Sequence, residues 1–410
     1  MPLEKPVTPV PGPRRVLADF GGLYAGSALI AFLFAASGPV AILLSVGRQG
    51  GLSEADLASW IFGAFFLNGL ISIAFCLLYR QPLVFFWTIP GTVLVAPALQ
   101  HLSFPEVIGA FHATGLLMLL LGLTGWVRRA MSAVPMPIVM AMVAGVFLRF
   151  GVELVLALKA DFRIALPMTL AFLGLSALPR LARWVPPLIG ALAVGAGALA
   201  ILGGLAPGAL SLEMARPGLY APVFSWRAMV ELVVPLAISV LVAQNAQGFA
   251  VLTAAGHRPP MDAVTAACGA GSIASALVGS VSTCLTGPVN AILSASGEKA
   301  RHYSAGVAVG VLALAFGLLA PVFTRLMLAT PAAFIATLAG LAMLRVLQGA
   351  FTASFRERFT LGALVTFLVT VSDISLLNIG APFWALAAGL AVSWLLERQD
   401  FAASRPPTPG

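Results

Sequence analysis

Long apolar stretches alternate with short polar loops along almost the whole chain, and this pattern predicts membrane-spanning helices. A helix needs about 20 apolar residues to cross a bilayer, whereas a transmembrane barrel would show short alternating segments. We assign fourteen apolar segments, numbered in chain order, at residues 21–46, 56–79, 83–100, 105–126, 133–157, 164–180, 186–206, 228–255, 261–279, 280–296, 303–328, 329–348, 358–377 and 380–396. The pattern therefore predicts an all-α polytopic membrane protein with 14 transmembrane segments.

Composition narrows the class of protein further. Of the 410 residues, 60% are hydrophobic and 9% are charged, and the mean hydropathy is +1.00. Soluble domains carry about 25% charged residues, and disordered chains have low hydrophobicity, so both classes are excluded. Cys76, Cys268 and Cys284 form no CxxC pair, and neither a Walker loop nor an HExxH motif occurs. We expect no metal, no cofactor and no enzyme activity.

Basic residues predict the orientation of the chain in the membrane. With the N-terminus in the cytoplasm, sixteen of the 23 Lys and Arg residues fall on the inner side, six on the outer side and Arg149 within a segment. This bias follows the positive-inside rule and places both termini in the cytoplasm of a bacterial-type inner (plasma) membrane. The net charge of +8 is thus explained by the orientation of the chain in the membrane. We expect lipid rather than nucleic acid as a partner.

The segments divide into two sets of seven around a polar stretch. We predict a cytoplasmic arm at 1–18, disordered because of its five prolines, and a first repeat at 19–207. An extracytoplasmic linker at 208–227, a second repeat at 228–398 and a cytoplasmic tail at 399–410 follow. Because seven is odd, the second set enters the membrane in the opposite orientation, which is the arrangement of an inverted repeat.

The third and tenth segments hold matching breaks. Pro90-Gly91 interrupts the third segment after a β-prone stretch, and Gly287-Pro288 interrupts the tenth in the same way. Proline suits the first turn of a helix, so each segment is predicted to be a short strand followed by a half-helix. Interrupted segments at equivalent positions of two halves point to a transporter binding site, although a pair of proline kinks that only pack helices gives the same pattern.

Two half-helix N-termini facing one cavity favour an anion, or a ring with hydrogen-bond acceptors. Hydroxyl, amide and aromatic groups nearby would suit an aromatic carboxylate. The amides of the eighth segment lie too deep to stay without partners, and Ser37-Gly38-Pro39 breaks the first segment. The predicted substrate-binding residues are Ser37, Phe86, Trp87, Thr88, Pro90, Gly91, Gln244, Asn245, Thr286, Gly287 and Asn290.

Few ionisable residues lie within the segments. Arg149 and Glu153 are four residues apart on one helix face and are predicted to pair. His112 lies in the fourth segment, where a buried neutral imidazole and a titrating group are both possible. Since the sequence shows no acidic residue beside the predicted cavity, His112 and Glu153 are the candidates for proton coupling.

Four stretches make the chain resemble the benzoate:proton symporter family (BenE-type). They are WTIPG at 87–91, AMVAGVFLRFG at 141–151, QNAQG at 244–248, and FLVT at 367–370 with GAPFW at 380–384. The first is similar to the family's W-S-T-P-G and the third to Q-N-x-P-G, with Gln247 in place of the usual proline.

The family resembles the wider nucleobase/ascorbate transporter group. That resemblance implies a 7+7 inverted repeat in which a core domain (segments 1–4 and 8–11) moves against a gate domain (5–7 and 12–14), and a homodimer formed through the gate domains. It also implies that Gln244 stands where the nucleobase carriers have a substrate-binding glutamate, which fits an anionic ligand. The expected function is proton-coupled symport of benzoate or a related carboxylate. A nucleobase or inorganic-anion carrier of the same fold, and an anion channel, remain alternatives.

Overall fold

The computed structural model describes residues 3–127, 134–178, 185–202, 213–295, 297–372, 374, 376 and 381–403. Most of these residues are helical. In the first half the elements are α1 (Pro13–Asp19), α2 (Gly22–Ala36), α3 (Gly38–Gln49), α4 (Glu54–Tyr79), β1 (Phe85–Trp87), α5 (Ile89–Ala98), α6 (Phe104–Thr124), α7 (Met136–Ala160), α8 (Phe162–Ala177) and α9 (Pro187–Ile201).

The second half continues in the same order of helix and strand. Its elements are α10 (Trp226–Ala254), α11 (Met261–Leu277), β2 (Thr283–Leu285), α12 (Gly287–Ser294), α13 (His302–Leu318), α14 (Ala320–Leu328), α15 (Ala332–Phe355), α16 (Thr360–Ser372), α17 (Ala381–Leu396) and α18 (Arg398–Ala403). Within the described residues, seven helical stretches are long and apolar enough to cross a membrane, and six further apolar helices are shorter. The polytopic helical class is confirmed, and the count of fourteen spans stays a prediction.

Both predicted breaks are present as a short strand followed by a half-helix. Strands β1 and β2 pair antiparallel, with Phe86 opposite Cys284 in the middle of the register. Half-helices α5 and α12 begin directly after these strands, and each has proline in its first turn. The pairing holds the two half-helix N-termini at one place near the middle of the fold.

Helix α10 contains two π-helical turns, at Met229–Val233 and Ser239–Asn245. A third lies in α4 at Gly63–Leu67. Such turns insert one extra residue per turn and frequently mark functional sites. The second turn of α10 carries Gln244 and Asn245, the amides that the sequence singled out.

The helices form two bundles. In the first bundle α6 packs against α11, α4 against α13, and both half-helices against neighbouring helices of that bundle. In the second bundle α7 packs against α15 and α16, α8 against α9, and α16 against α17. The bundles meet where α3 lies against α15, α5 against α7, and the first turns of α10 against α17.

The N-terminal arm is docked onto the first bundle, so the expectation of disorder is wrong for its described part. The Glu4 carboxylate accepts hydrogen bonds from the backbone N–H groups of Asp262 (3.1 Å) and Ala263 (2.9 Å), which open α11. Tyr79 donates its hydroxyl to the Glu4 carbonyl at 2.8 Å. A carboxylate at a helix N-terminus neutralises free N–H groups, which composition alone did not reveal.

Candidate functional site

A cavity of about 1090 Å³ lies between the two bundles. The first bundle contributes the end of α2, strand β1, the start of both half-helices and the second π-helical turn of α10. The second bundle contributes α7, the ends of α8 and α9, and α15. The cavity therefore lies where the broken segments place their half-helix N-termini, as the sequence predicted for a binding site.

Five of the predicted site residues line this cavity: Phe86, Trp87, Pro90, Gln244 and Thr286. Gln247, which is absent from the predicted set, lines it as well. It lies one helical turn from Gln244 on the same face of α10, so i, i+3 spacing was the available signal.

Aromatic rings form one wall of the cavity. Trp87 and Phe86 are in edge-to-face contact, with ring centroids 5.9 Å apart. Phe65 supports both from behind, with centroids 5.1 Å from Trp87 and 5.2 Å from Phe86. Rings locked in this way offer a fixed flat surface to a second aromatic ring.

The other six predicted residues lie behind the lining. They are Ser37, Thr88, Gly91, Asn245, Gly287 and Asn290, all buried. Direct contact with a ligand in this cavity was expected of them, and the structure places none of them on its wall. Their polar groups instead fix the backbone that forms the wall.

Two buried asparagines hold the broken segments in register. The Asn245 side-chain oxygen accepts a hydrogen bond from the Leu285 N–H at 2.8 Å, at the end of β2. Asn290 accepts from the Val84 N–H at 3.0 Å and donates to the Val84 carbonyl at 3.2 Å, just before β1. Each amide thus forms hydrogen bonds with backbone groups that have no partner within the short two-stranded sheet. This matters because a buried backbone group without a hydrogen bond is costly.

The start of α5 is fixed by a hydroxyl cap and a close helix contact. Thr88 accepts a hydrogen bond from the Gly91 N–H at 3.1 Å, and its hydroxyl lies 3.3 Å from that of Ser239 on α10. An added Cβ at Gly91 would collide with Thr88 and would lie 3.0 Å from Leu236 Cδ2. At Gly287 of α12, an added Cβ would lie 2.6 Å from Gln247 Cγ. Both glycines allow α10 to pass close to the half-helices.

Ser37 lies at the break between α2 and α3, where its hydroxyl donates to the Phe34 carbonyl at 3.1 Å. Phe34 and Pro39 on either side of it line the cavity, while Ser37 does not. The predicted break in the first segment is therefore present and shapes the wall through its neighbours.

Arg345 of α15 carries the one formal charge among the described residues that line the cavity. Its guanidinium donates to the Gln348 side-chain oxygen at 3.1 Å, and its side chain is exposed. The remaining lining is mostly apolar. Arg345 is one of the sixteen basic residues predicted on the inner side, and its position inside the twelfth apolar segment is the sequence signal for a role within the membrane.

Neither proton-coupling candidate lies on the cavity wall. The His112 ring is within 3.0 Å of the Ile108 carbonyl in its own helix. Glu153 pairs with Arg149 at 3.1 Å, as predicted, and accepts a longer hydrogen bond of 3.5 Å from Gln49. This pair joins α7 to the end of α3, across the two bundles.

Comparison with known proteins gives the family. The sequence model described as "Benzoate membrane transport protein" matches residues 18–395. The chain belongs to this family. It is 30% identical over 365 residues to the inner membrane protein YdcO of Escherichia coli (strain K12), covering 88% of this chain and 92% of that one. It is 28% identical over 375 residues to the benzoate membrane transport protein of Acinetobacter baylyi, covering 90% and 93%.

Solved structures show the same fold at low sequence identity. SLC26A9 superposes with a TM-score of 0.64 at 14% identity, over 90% of this chain and 64% of that one, so the chain spans somewhat less than two thirds of SLC26A9. The transmembrane domain of the cyanobacterial bicarbonate transporter BicA superposes with a TM-score of 0.58 at 18% identity, over 94% and 100%. The family and the fold together make this protein a membrane transporter.

Proposed function

We propose that the protein is a secondary active transporter of benzoate or a related aromatic carboxylate, coupled to protons. The observation that carries this proposal is the chemistry of the cavity: an aromatic wall, two half-helix N-termini and a single cation, Arg345. The ring of an aromatic acid suits Phe86 and Trp87, and its carboxylate suits a guanidinium and the N-terminus of α12, which no side chain caps. The family match and the Acinetobacter relative support the same ligand class.

The polar groups of the wall would set the ligand's orientation. The Gln244 and Gln247 amides and the Thr286 hydroxyl are on the side of α10 and α12, where they can donate to a carboxylate. The lining holds no acidic side chain among the described residues. An anion therefore meets donors and a positive charge without a repelling carboxylate.

The proposed architecture is fourteen segments as a 7+7 inverted repeat, with the first bundle as the core and the second as the gate. The matching strand and half-helix pairs at β1–α5 and β2–α12 support it, because they recur at the same place in each half. Alternating access would then move the core against the gate, with the site carried on the core. The homodimer through the gate domains and the cytoplasmic termini belong to the same proposal.

The cavity corresponds to an inward-facing state under this topology. Its lining on the second bundle includes Met136, Ser176, Pro187 and Ala353. These residues lie at the helix ends that the positive-inside rule assigns to the cytoplasm. Arg345 would then lie on the route between the half-helices and the cytoplasm.

The test is counterflow of labelled benzoate in proteoliposomes. Arg345→Gln should reduce counterflow about tenfold or more, since a hydrogen bond to a charged group is worth about 1.5–3 kcal/mol. Arg345→Lys should retain part of the activity. Arg356→Gln is the matched control, because Arg356 follows the same helix, pairs with Glu357 and lies outside the cavity lining. Wild-type counterflow by Arg345→Gln would refute the role of this cation.

An inorganic-anion carrier is the second candidate, favoured by the fold shared with SLC26A9 and BicA. A competition panel separates the two, because sulfate or bicarbonate should displace labelled substrate only if this candidate is right. Uracil in the same panel tests a nucleobase carrier. Counterflow itself excludes a channel, which cannot exchange one substrate molecule against another.

A further inference from the structure

The one acidic residue of α10 is buried and lies outside the cavity. Glu231 lies in the first π-helical turn, and its side chain is 2% exposed. Its Oε2 atom lies 2.9 Å from Nε2 of His101. An ionisable residue within a membrane helix is costly and by default marks a function, here with an imidazole as its named partner.

The pair connects the end of α5 to the start of α10. Further along, the same two helices contribute to the cavity, through the N-terminus of α5 and the second π-helical turn of α10. His101 follows α5, whose N-terminus carries the Thr88 cap. Glu231 lies in α10 eight residues before Ser239, about 12 Å along the helix. Since the Ser239 hydroxyl lies 3.3 Å from that of Thr88, the two elements are joined at both ends.

The same π-helical turn also contacts α17 of the second bundle. The turn that carries Glu231 therefore lies at the interface between the bundles as well as beside α5. The His101 side chain is 33% exposed, so the buried carboxylate has an imidazole route towards water at the outer side of the predicted topology.

Other ionisable groups around Glu231 are few. Among the described elements packed against its turn, α6 carries Glu106 and His112, and the start of α10 carries Arg227. The Glu106 carboxylate is engaged in capping α6 through Ser103. Helices α5 and α17 carry no ionisable side chain in their described residues, so His101 is the partner in hydrogen-bond contact with Glu231.

We propose that Glu231 and His101 form the site that holds the coupled proton. This proposal rests on the proposed function and assigns its proton-binding residues. With His101 protonated and Glu231 ionised, the pair has no net charge. One more proton neutralises the carboxylate, leaves a net charge of +1, and so balances the single negative charge of a bound carboxylate. The loaded core then crosses the membrane without an uncompensated charge, which would be expensive.

The experiment compares two kinds of transport in proteoliposomes. Counterflow of labelled benzoate at equal pH requires no net proton movement, whereas accumulation driven by an inward pH gradient does. For 1:1 coupling, each pH unit supports about tenfold accumulation. Proton entry is followed with a pH-sensitive dye inside the vesicles. The variants are Glu231→Gln, His101→Gln and, as a control, Glu54→Gln, whose exposed carboxylate pairs with Arg325.

Glu231→Gln should keep counterflow and lose both gradient-driven accumulation and benzoate-dependent proton entry. His101→Gln removes the positive charge that balances the bound carboxylate, so both counterflow and accumulation should fall. Glu54→Gln should behave as wild type.

Three results would overturn the assignment. They are wild-type accumulation by Glu231→Gln, wild-type counterflow by His101→Gln, and loss of counterflow in Glu231→Gln, because a group that only carries the proton is not needed for exchange. Failure of the proposed function is distinguishable, since the wild-type protein would then show benzoate counterflow without proton entry, or no benzoate counterflow at all.

Discussion

The Asn290 side chain and the Val84 backbone form a two-way hydrogen bond between the two halves of the chain. Asn290 accepts from the Val84 N–H at 3.0 Å and donates to the Val84 carbonyl at 3.2 Å. It also donates to the Thr286 carbonyl at 2.8 Å, one turn back in its own half-helix. The side chain is fully buried, so its role is to join the two broken segments.

Asn290→Ala should therefore destabilise the fold as well as the site. Leaving buried backbone partners unsatisfied costs about 1–3 kcal/mol each. We expect a lower Tm of the protein in detergent and a loss of benzoate counterflow. Ser294→Ala is a suitable control, because its hydroxyl bonds only within the same helix. An unchanged Tm in Asn290→Ala would contradict the joining role.

Gln244→Ala should impair ligand binding without destabilising the fold. Gln244 lines the cavity, whereas neighbouring Asn245 is fully buried and bonded to β2. The variant should retain the wild-type Tm without ligand and lose most of the thermal stabilisation by benzoate. Asn245→Ala should lower the Tm itself. If benzoate stabilises Gln244→Ala as strongly as wild type, this amide does not contact the ligand.

Asp19 anchors the N-terminal arm. Its carboxylate is buried and accepts hydrogen bonds from Tyr303 at 2.8 Å and Arg15 at 3.1 Å, and Arg80 lies 3.7 Å away. Burial raises the pKa of this carboxyl, but the hydrogen bonds from Tyr303 and Arg15 and the nearby positive charges outweigh burial and lower it.

Asp19→Asn should cost about 2–3 kcal/mol of stability, in the range of hydrogen bonds to charged groups. Because the pKa in the folded state is lowered, the contribution of Asp19 is present above its unfolded pKa and lost as the pH falls through the folded value. Thermal unfolding should thus differ most between wild type and Asp19→Asn near neutral pH. A difference that grows on acidification would contradict this network.

The contact between His257 and His302 indicates a second reason for the stability of the fold to depend on pH. Their ring nitrogens are 3.1 Å apart, and both side chains are buried. Burial, together with the charges of His302 and Lys299, lowers the pKa of His257 to about 4. Since the folded pKa is depressed, stability is complete above the unfolded pKa of about 6.5 and declines between there and pH 4.

The measurement is the Tm in detergent between pH 7.5 and pH 4.5, for wild type and His257→Gln. The wild-type Tm should fall across this window, and the variant should fall less. Equal slopes would show that His257 does not cause the decline.

Several features could be deduced from the sequence because they depend on local chemistry. Apolar runs of helix length gave the class of fold, since a bilayer leaves few backbone solutions. Pro90 and Gly287-Pro288 gave the strand and half-helix breaks, because proline restricts the backbone wherever it stands. The same breaks predicted a candidate site among residues that include Trp87 and Gln244.

Tertiary structure alone decided which side of each segment meets the cavity. Gln244 and Asn245 are adjacent in sequence, yet one lines the cavity and the other bonds to β2. Glu4 docks onto α11 and Glu231 meets His101 across gaps of more than a hundred residues. Such contacts depend on how helices are rotated and packed against each other, which hydropathy does not encode. The spans and the breaks, in contrast, follow from local properties of the chain: apolar runs of helix length and the restricted backbone of proline.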